Sequence, residues 1–266
     1  MNMNPIEKNI VTVAGNQNSE ETLVFGHGFG TDQTYWRLVT KAFSEQYKII
    51  TFDNVGAGKS PPIAYSNNKY SQLQSYADDI IDLAENLQIK DATFIGHSVS
   101  GITGMLASIK APELFSKHVF INASPRYLND TEYIGGFEQS DLKDLYNKMQ
   151  TNYHAWVSGF APTFMGNPEK PELAIEFANS LASLRPDVAY TVCKAIFESD
   201  HRKDLIKFNK KSLIIQSIKD IAVPVEVGKY LNKNIKDSVL FVINADGHFP
   251  HISAPEEVIQ AIKTFL

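Results

Sequence analysis

The stretch Thr93-Phe94-Ile95-Gly96-His97-Ser98-Val99-Ser100-Gly101 decides how the rest of the chain is read. A β-branched and aromatic run, Thr93-Phe94-Ile95, leads straight into a serine flanked by small residues, and residues 102–109 beyond it are helix-prone. A serine on a sharp strand-to-helix turn is forced into a strained conformation. The residues two before and two after it must then be small, so that strand and helix can pass closely. Gly96 and Ser100 meet that need, although a serine stands where the second glycine is usual. The plainer reading of the same residues is a polar turn with Ser98 as a helix cap.

The flanks decide between the two. Short strand-like runs bounded by turn residues lie at 10–13, 22–25, 47–52, 93–95 and 119–121. Helical stretches separate several of them; at 71–87 Leu73, Tyr76, Ala77, Ile80, Ile81, Ala84 and Leu87 share one face. This alternation predicts an α/β fold with a mainly parallel sheet covered by helices on both sides. The rhythm breaks after Ser124. Residues 127–200 show only helical patterns, at 140–160 and 171–184, cut by Gly135-Gly136, Pro162, Gly166-Asn167-Pro168 and Pro186. Strands resume at 213–215 and 239–243, and a Pro-led amphipathic helix closes the chain at 255–266. We therefore expect a core domain of residues 1–126 and 201–266, with a helical segment, 127–200, inserted into it.

A serine hydroxyl is a poor nucleophile unless a base takes its proton and a carboxylate orients that base. On such a sheet the chain order is serine, then acid, then histidine. Asp220 directly follows one late strand, and His248, in Asp246-Gly247-His248-Phe249-Pro250, follows the last. Both fall at the C-terminal edge of the sheet, where Ser98 emerges. Asp246 and His251 are the rivals, and both read more simply as surface-loop residues. The oxyanion formed on attack needs fixed backbone N–H donors. Val99 follows the nucleophile, and Phe29 lies in the glycine-rich loop Gly26-His27-Gly28-Phe29-Gly30 after an early strand. His27, His97, His118, His154 and His201 lack metal-ligand spacing, and Cys193, in an apolar helical stretch, reads as a small core residue. No metal or cofactor is called for. Gly58-Lys59-Ser60 resembles the end of a phosphate loop, but Asp53 stands where that motif needs glycine and Pro61-Pro62 where a helix should start.

The composition agrees. Of 266 residues 43% are hydrophobic and 21% charged, values of a globular chain with a sizeable core. The net charge of −5, without a long basic run, argues against nucleic-acid binding. The single cysteine, the absence of a leader pattern at the start and the lack of a long apolar run lead us to expect a cytoplasmic protein with no membrane partner.

With these residues placed, the chain resembles the α/β-hydrolases along nearly its whole length, in His27-Gly28-Phe29-Gly30, Asp53-Asn54-Val55-Gly56-Ala57-Gly58-Lys59-Ser60, Gly96-His97-Ser98-Val99-Ser100 and Asp246-Gly247-His248. More specific strings resemble the subfamily that holds the bacterial stress regulator RsbQ and the plant karrikin and strigolactone receptors. These are Gly28-Phe29-Gly30-Thr31-Asp32-Gln33, Ser124-Pro125-Arg126-Tyr127-Leu128-Asn129-Asp130, Gly135-Gly136-Phe137-Glu138, Lys219-Asp220-Ile221-Ala222-Val223-Pro224 and Gly247-His248-Phe249-Pro250-His251. The resemblance implies a four-helix cap over an apolar pocket and a Ser98-His248-Asp220 triad with Phe29 and Val99 as oxyanion donors. It implies slow hydrolysis of a small hydrophobic ester or butenolide-like ligand, and a signalling role through a protein partner, a phosphatase in the RsbQ-like case. It also implies pocket aromatics at Tyr127, Trp156, Phe160, Phe164 and Phe197. A purely metabolic carboxylesterase with no partner stays open beside this reading.

Overall fold

A computed structural model describes residues 3–266. Seven strands form one sheet: β1 (Thr12–Gly15), β2 (Thr22–Gly26), β3 (Lys48–Phe52), β4 (Ala92–His97), β5 (Phe115–Ile121), β6 (Lys211–Lys219) and β7 (Ser238–Asp246). Their spatial order is β1-β3-β2-β4-β5-β6-β7, and only β1, paired with β3, runs antiparallel. Every residue of the central strand β4 is buried, as a parallel strand covered on both faces requires. The helices, in chain order, are α1 (Pro5–Lys8), α2 (Arg37–Thr40), α3 (Leu73–Asn86), α4 (Val99–Lys110), α5 (Gln139–Thr151), α6 (Tyr153–Met165), α7 (Pro171–Ala182), α8 (Pro186–Phe197), α9 (Val225–Asn234), α10 (Pro250–Ser253) and α11 (Pro255–Phe265).

One face of the sheet is closed by Ile80 and Leu83 of α3 and Met105 of α4, packed with Phe94 and Phe120. Trp36, Phe43 and the α11 residues Val258 and Ile262 close the other, against Phe25, Ile95 and Ile215. Between β5 and β6 the chain makes four consecutive helices, α5 to α8. Their apolar residues join the core under α3 and α4 rather than forming one of their own. Among the described residues no helix is long and apolar enough to cross a membrane.

The first strand sits two residues later than its β-branched run implies, because Ile10 takes a positive φ of 45° that ends any extension there. The helical pattern at 140–160 is two helices. Asn152 breaks it with extended backbone, and its side chain accepts the Ala155 N–H at 3.0 Å to cap the second helix. Pro186, read as an interruption, is the first residue of α8, where a missing N–H costs nothing.

Candidate active site

Ser98 is the single residue between β4 and α4, with φ 54° and ψ −124°, a conformation that costs a non-glycine residue energy. Gly96 makes the turn possible: a Cβ there would sit 2.5 Å from the backbone of Ser100 and Gly101. The serine at position 100 fits because β2 presents Gly26 opposite it, where an added Cβ would lie 2.8 Å from the Ser100 Cβ. Ser100 Oγ also donates to the His27 carbonyl at 2.5 Å, so the departure from glycine ties α4 to the loop after β2.

Asp220 follows β6 and is buried. Its Oδ1 accepts the N–H groups of Ala222 (2.8 Å) and Val223 (3.2 Å), which leaves Oδ2 facing His248 Nδ1 at 2.7 Å. A carboxylate only accepts, so Nδ1 carries the imidazole proton and Nε2 presents a lone pair. That lone pair lies 2.8 Å from Ser98 Oγ. The loop carrying His248 is held to α6: the His248 N–H donates to Phe164 O (2.9 Å), and Asn167 Nδ2 donates to Asp246 O (2.9 Å). Gly247, at φ 84°, lets this approach happen, since a Cβ there would run into the Met165 carbonyl.

The loop after β2 is organised by a buried histidine. His27 Nε2 accepts the Asn54 N–H at 2.9 Å, so its proton sits on Nδ1, which donates to Gly28 O at 2.8 Å. Burial pushes the His27 pKa down, which keeps the ring neutral and this pattern intact. Neither the Phe29 N–H nor the Val99 N–H finds an acceptor among the described residues. Phe29 lines the same cavity as Ser98, and Val99 directly follows Ser98 and opens the twelve-residue α4, whose N-terminal end favours negative charge.

Above Ser98 and His248 lies a cavity of about 20 Å³, walled by Phe29, Tyr127, Phe160, Phe164, Phe177, Ile196, Phe197, Ala222 and Phe249. That is room for about one water. A second void of about 30 Å³, reaching to Tyr76 and Val192, shares only the Phe29 and Ile196 walls with it. The ceiling is ring on ring, with Phe160 and Phe164 stacked at 3.8 Å between centroids. Tyr127 does more than line the cavity: its hydroxyl is 3.2 Å from Ser98 Oγ, and burial raises its pKa, so it stays a neutral phenol.

Of the residues singled out from sequence, Ser98, Asp220, His248, Phe29, Val99, Tyr127, Phe160, Phe164 and Phe197 all meet at this one place. Trp156 does not line the cavity; it packs behind Phe160, at 4.6 Å between rings, and against Tyr153. Asp246 pairs with Lys219 at 3.3 Å at the surface, away from His248. His251 is not the surface residue its position implied. It is fully buried, its ring centroid 4.6 Å from Trp36 and 4.4 Å from His97, because the short α10 turns it under the site. Sequence reasoning missed Asn122, Phe177 and Phe249. Asn122 Oδ1 accepts the Ser217 N–H (2.8 Å), while its Nδ2 donates to Ser217 Oγ (2.9 Å) and to Gly247 O (3.3 Å). It thereby links the β6 end that leads to Asp220 with the turn that carries His248. Its only sequence signal was a place right after a strand.

With this geometry in view, the comparisons are specific. Residues 21–255 match the model of the alpha/beta hydrolase fold. The chain is 45% identical to a karrikin insensitive 2 receptor of Petunia hybrida over 91% of this chain and 90% of that one. It is 38% identical to a strigolactone esterase of Arabidopsis thaliana, covering 93% and 92% of the two chains. Among solved structures, a hydrolase from Oleispira antarctica superposes with a TM-score of 0.95 at 36% identity, covering 98% of this chain and 95% of that one. The chain therefore belongs to the α/β-hydrolase family, in the subfamily of the karrikin and strigolactone receptors, and is an esterase-type hydrolase.

Proposed function

We propose that the chain is a slow serine esterase or lactonase for a small hydrophobic ester or butenolide-like ligand, and that it reports that ligand to a protein partner. The observation that carries this reading is the unbroken line Ser98 Oγ–His248 Nε2 (2.8 Å) and His248 Nδ1–Asp220 Oδ2 (2.7 Å) beneath an almost wholly apolar ceiling. His248 Nε2 takes the Ser98 proton as Oγ bonds to the ligand's carbonyl carbon. The carbonyl π pair moves to its oxygen, which the Phe29 and Val99 N–H groups hold. Collapse of that intermediate expels the leaving oxygen, which takes the proton from His248; a water then repeats the sequence and frees Ser98. Asp220 keeps the imidazole in the reactive tautomer and faces the positive charge that develops on it.

Residues 127–200 serve as the cap in this reading, and residues 1–126 and 201–266 as the catalytic core. The cavity has room for about one water, so a ligand needs its walls to move, and in this reading the Phe160–Phe164 stack is the wall that parts. That couples occupancy to the position of α6, which gives a partner a surface to read. The names of the relatives, a receptor and an esterase, support both halves. Labelling with a serine-directed phosphonate is the direct test. Wild type should be labelled at Ser98, and Ser98→Ala should neither be labelled nor hydrolyse a short aryl ester. Labelling that persists in Ser98→Ala would sink the assignment. Turnover of butenolides well under one per second, against about ten per second for typical enzymes, marks the sensor; turnover at the typical rate marks a metabolic carboxylesterase instead.

A further inference from the structure

His97 ends β4, immediately before Ser98, and is fully buried. Its Nε2 lies 2.7 Å from the carbonyl oxygen of His248. A carbonyl can only accept, so Nε2 carries the proton, and Nδ1, which has no partner among the described residues, is bare. The bare edge lies under the loop after β2: a Cβ on Gly28 would run into Nδ1. Around the ring stand His248 at 4.9 Å, Phe249 at 5.1 Å and His251 at 4.4 Å between centroids. One side chain thus touches the loop that carries Phe29 and the loop that carries His248, and it belongs to the residue directly before Ser98.

We propose that His97 is the positioning residue that keeps His248 within reach of Ser98 while α6 moves to admit a ligand. The argument deepens the function proposed above and rests on it. His248 is pinned through both of its peptide groups. Its N–H donates to Phe164 O at the end of α6, and its C=O accepts from His97 at the end of β4. The α6 tie belongs to the helix that carries Phe160 and Phe164, the rings that part in the function proposed above. The His97 tie belongs to the sheet and survives that motion. Without it, opening the cavity would carry the base away from the nucleophile, and a misplacement of about 1 Å can cost about a hundredfold in rate.

His118 supplies the control. It is equally buried and makes the same kind of bond, Nε2 to Gly101 O at 3.0 Å, but it packs among Phe94, Phe120 and Phe208 and touches none of the reacting groups. The experiment compares His97→Leu, His97→Gln, His97→Asn and His118→Leu on a short aryl ester, with melting temperatures recorded alongside. Leu removes the donor, Gln restores an N–H at the reach of Nε2, and Asn is too short to reach the carbonyl. We expect His97→Leu to lose about tenfold to a hundredfold in kcat with KM within about twofold. His97→Gln should recover most of that loss and His97→Asn little, while His118→Leu keeps wild-type kcat despite a lower melting temperature. Equal losses in Leu and Gln that follow melting temperature, or a wild-type rate in His97→Leu, would overturn the proposal. Should His97→Leu fail to fold, nitrogen chemical shifts of labelled histidine in the wild-type chain decide. An Nδ1–H tautomer at His97 refutes the bond, whatever the turnover. If wild type is neither labelled by the phosphonate nor active, the proposed function fails on its own, and the tautomer measurement still reads the bond.

Discussion

At the sheet edge, Ser98, Asp220 and His248 stand on three short turns, and the polar atoms that align them are hydrogen-bonded at 2.7 to 3.2 Å. In α6 and α7 just above, the contacts that count are ring against ring: Trp156 on Phe160, Phe160 on Phe164, and Phe177 on Phe249, all within 4.6 Å between centroids. The first region is directional, and a small displacement breaks it. The second holds shape by excluding water, a driving force that is non-directional and proportional to the apolar area covered. In the function proposed here, chemistry therefore belongs to the sheet and ligand choice to the helices.

The sharpest way to break this comparison is to change one polar atom at the edge. Asp220→Asn keeps the shape but removes the acceptor that sets the His248 tautomer. Turnover of a short aryl ester should fall by about 10⁴-fold, with little change in melting temperature. Asp246→Asn, which loses only a surface pair with Lys219, should stay within about twofold of wild type. If the two changes were equally harmful, the acid would not be Asp220, and the directional reading of the edge would fall.

The same contrast explains what could be read from sequence. Strand ends, the Gly96–Ser100 turn and the residues that follow β6 and β7 obey local rules, so Ser98 could be placed from its turn, and Asp220 and His248 from chain order and their positions after two late strands. Packing among helices obeys no such rule. Apolar residues continue through 140–160 in phase, which masks the cap residue Asn152, and the periodicity of Trp156 and Phe160 cannot say which ring faces the cavity. Here Phe160 does and Trp156 stands behind it. His251 was misplaced for a related reason. A histidine after a loop is ordinarily exposed, and only tertiary packing under α10 buries it.

The next effect is on stability rather than rate. His118 and His251 are fully buried with bare ring nitrogens; desolvation pushes both down to about 3 from 6.5, and His97 well below 6.5. Unfolded, each would take up a proton near pH 6.5, while the folded form stays neutral to far lower pH. The stability they confer is thus fully present above about pH 6.5 and is lost as pH falls towards about 3. Each contributes a slope of about 1.4 kcal/mol per pH unit inside that window. Urea unfolding of His118→Leu between about pH 6 and 4.5 should show a slope smaller by about that amount. An unchanged slope would mean His118 is protonated in the folded state.

Among the helices the expected effects are of a different kind. Phe160→Ala removes a ring that faces Ser98, so it should weaken a small apolar ligand by about 1.5–3 kcal/mol and admit bulkier ones. Trp156→Ala should lower stability, by about 3–5 kcal/mol as for other buried aromatics, and change ligand affinity less than Phe160→Ala does. Titrating both variants with one ligand, beside their melting curves, tests the order of the two rings. A larger affinity loss at Trp156 would put it in the cavity wall.

The smallest effect tests whether α6 has slack away from its ring face. Gly159 lies inside this helix, is exposed, and an added Cβ would meet nothing within 4 Å. Alanine there restricts the unfolded chain and improves helix propensity without a clash, so Gly159→Ala should stabilise by about 0.5–1 kcal/mol. Gly247→Ala, where the same methyl would strike the Met165 carbonyl that packs beside His248, should destabilise and slow turnover together. The pair separates the outer face of α6 from its C-terminal junction. On the outer face of α6 a methyl is absorbed, whereas at its junction with the catalytic loop it cannot be. Denaturant titration with an ester assay on both variants measures this directly, and a stability gain at Gly247 would show that the junction is looser than its hydrogen bonds imply.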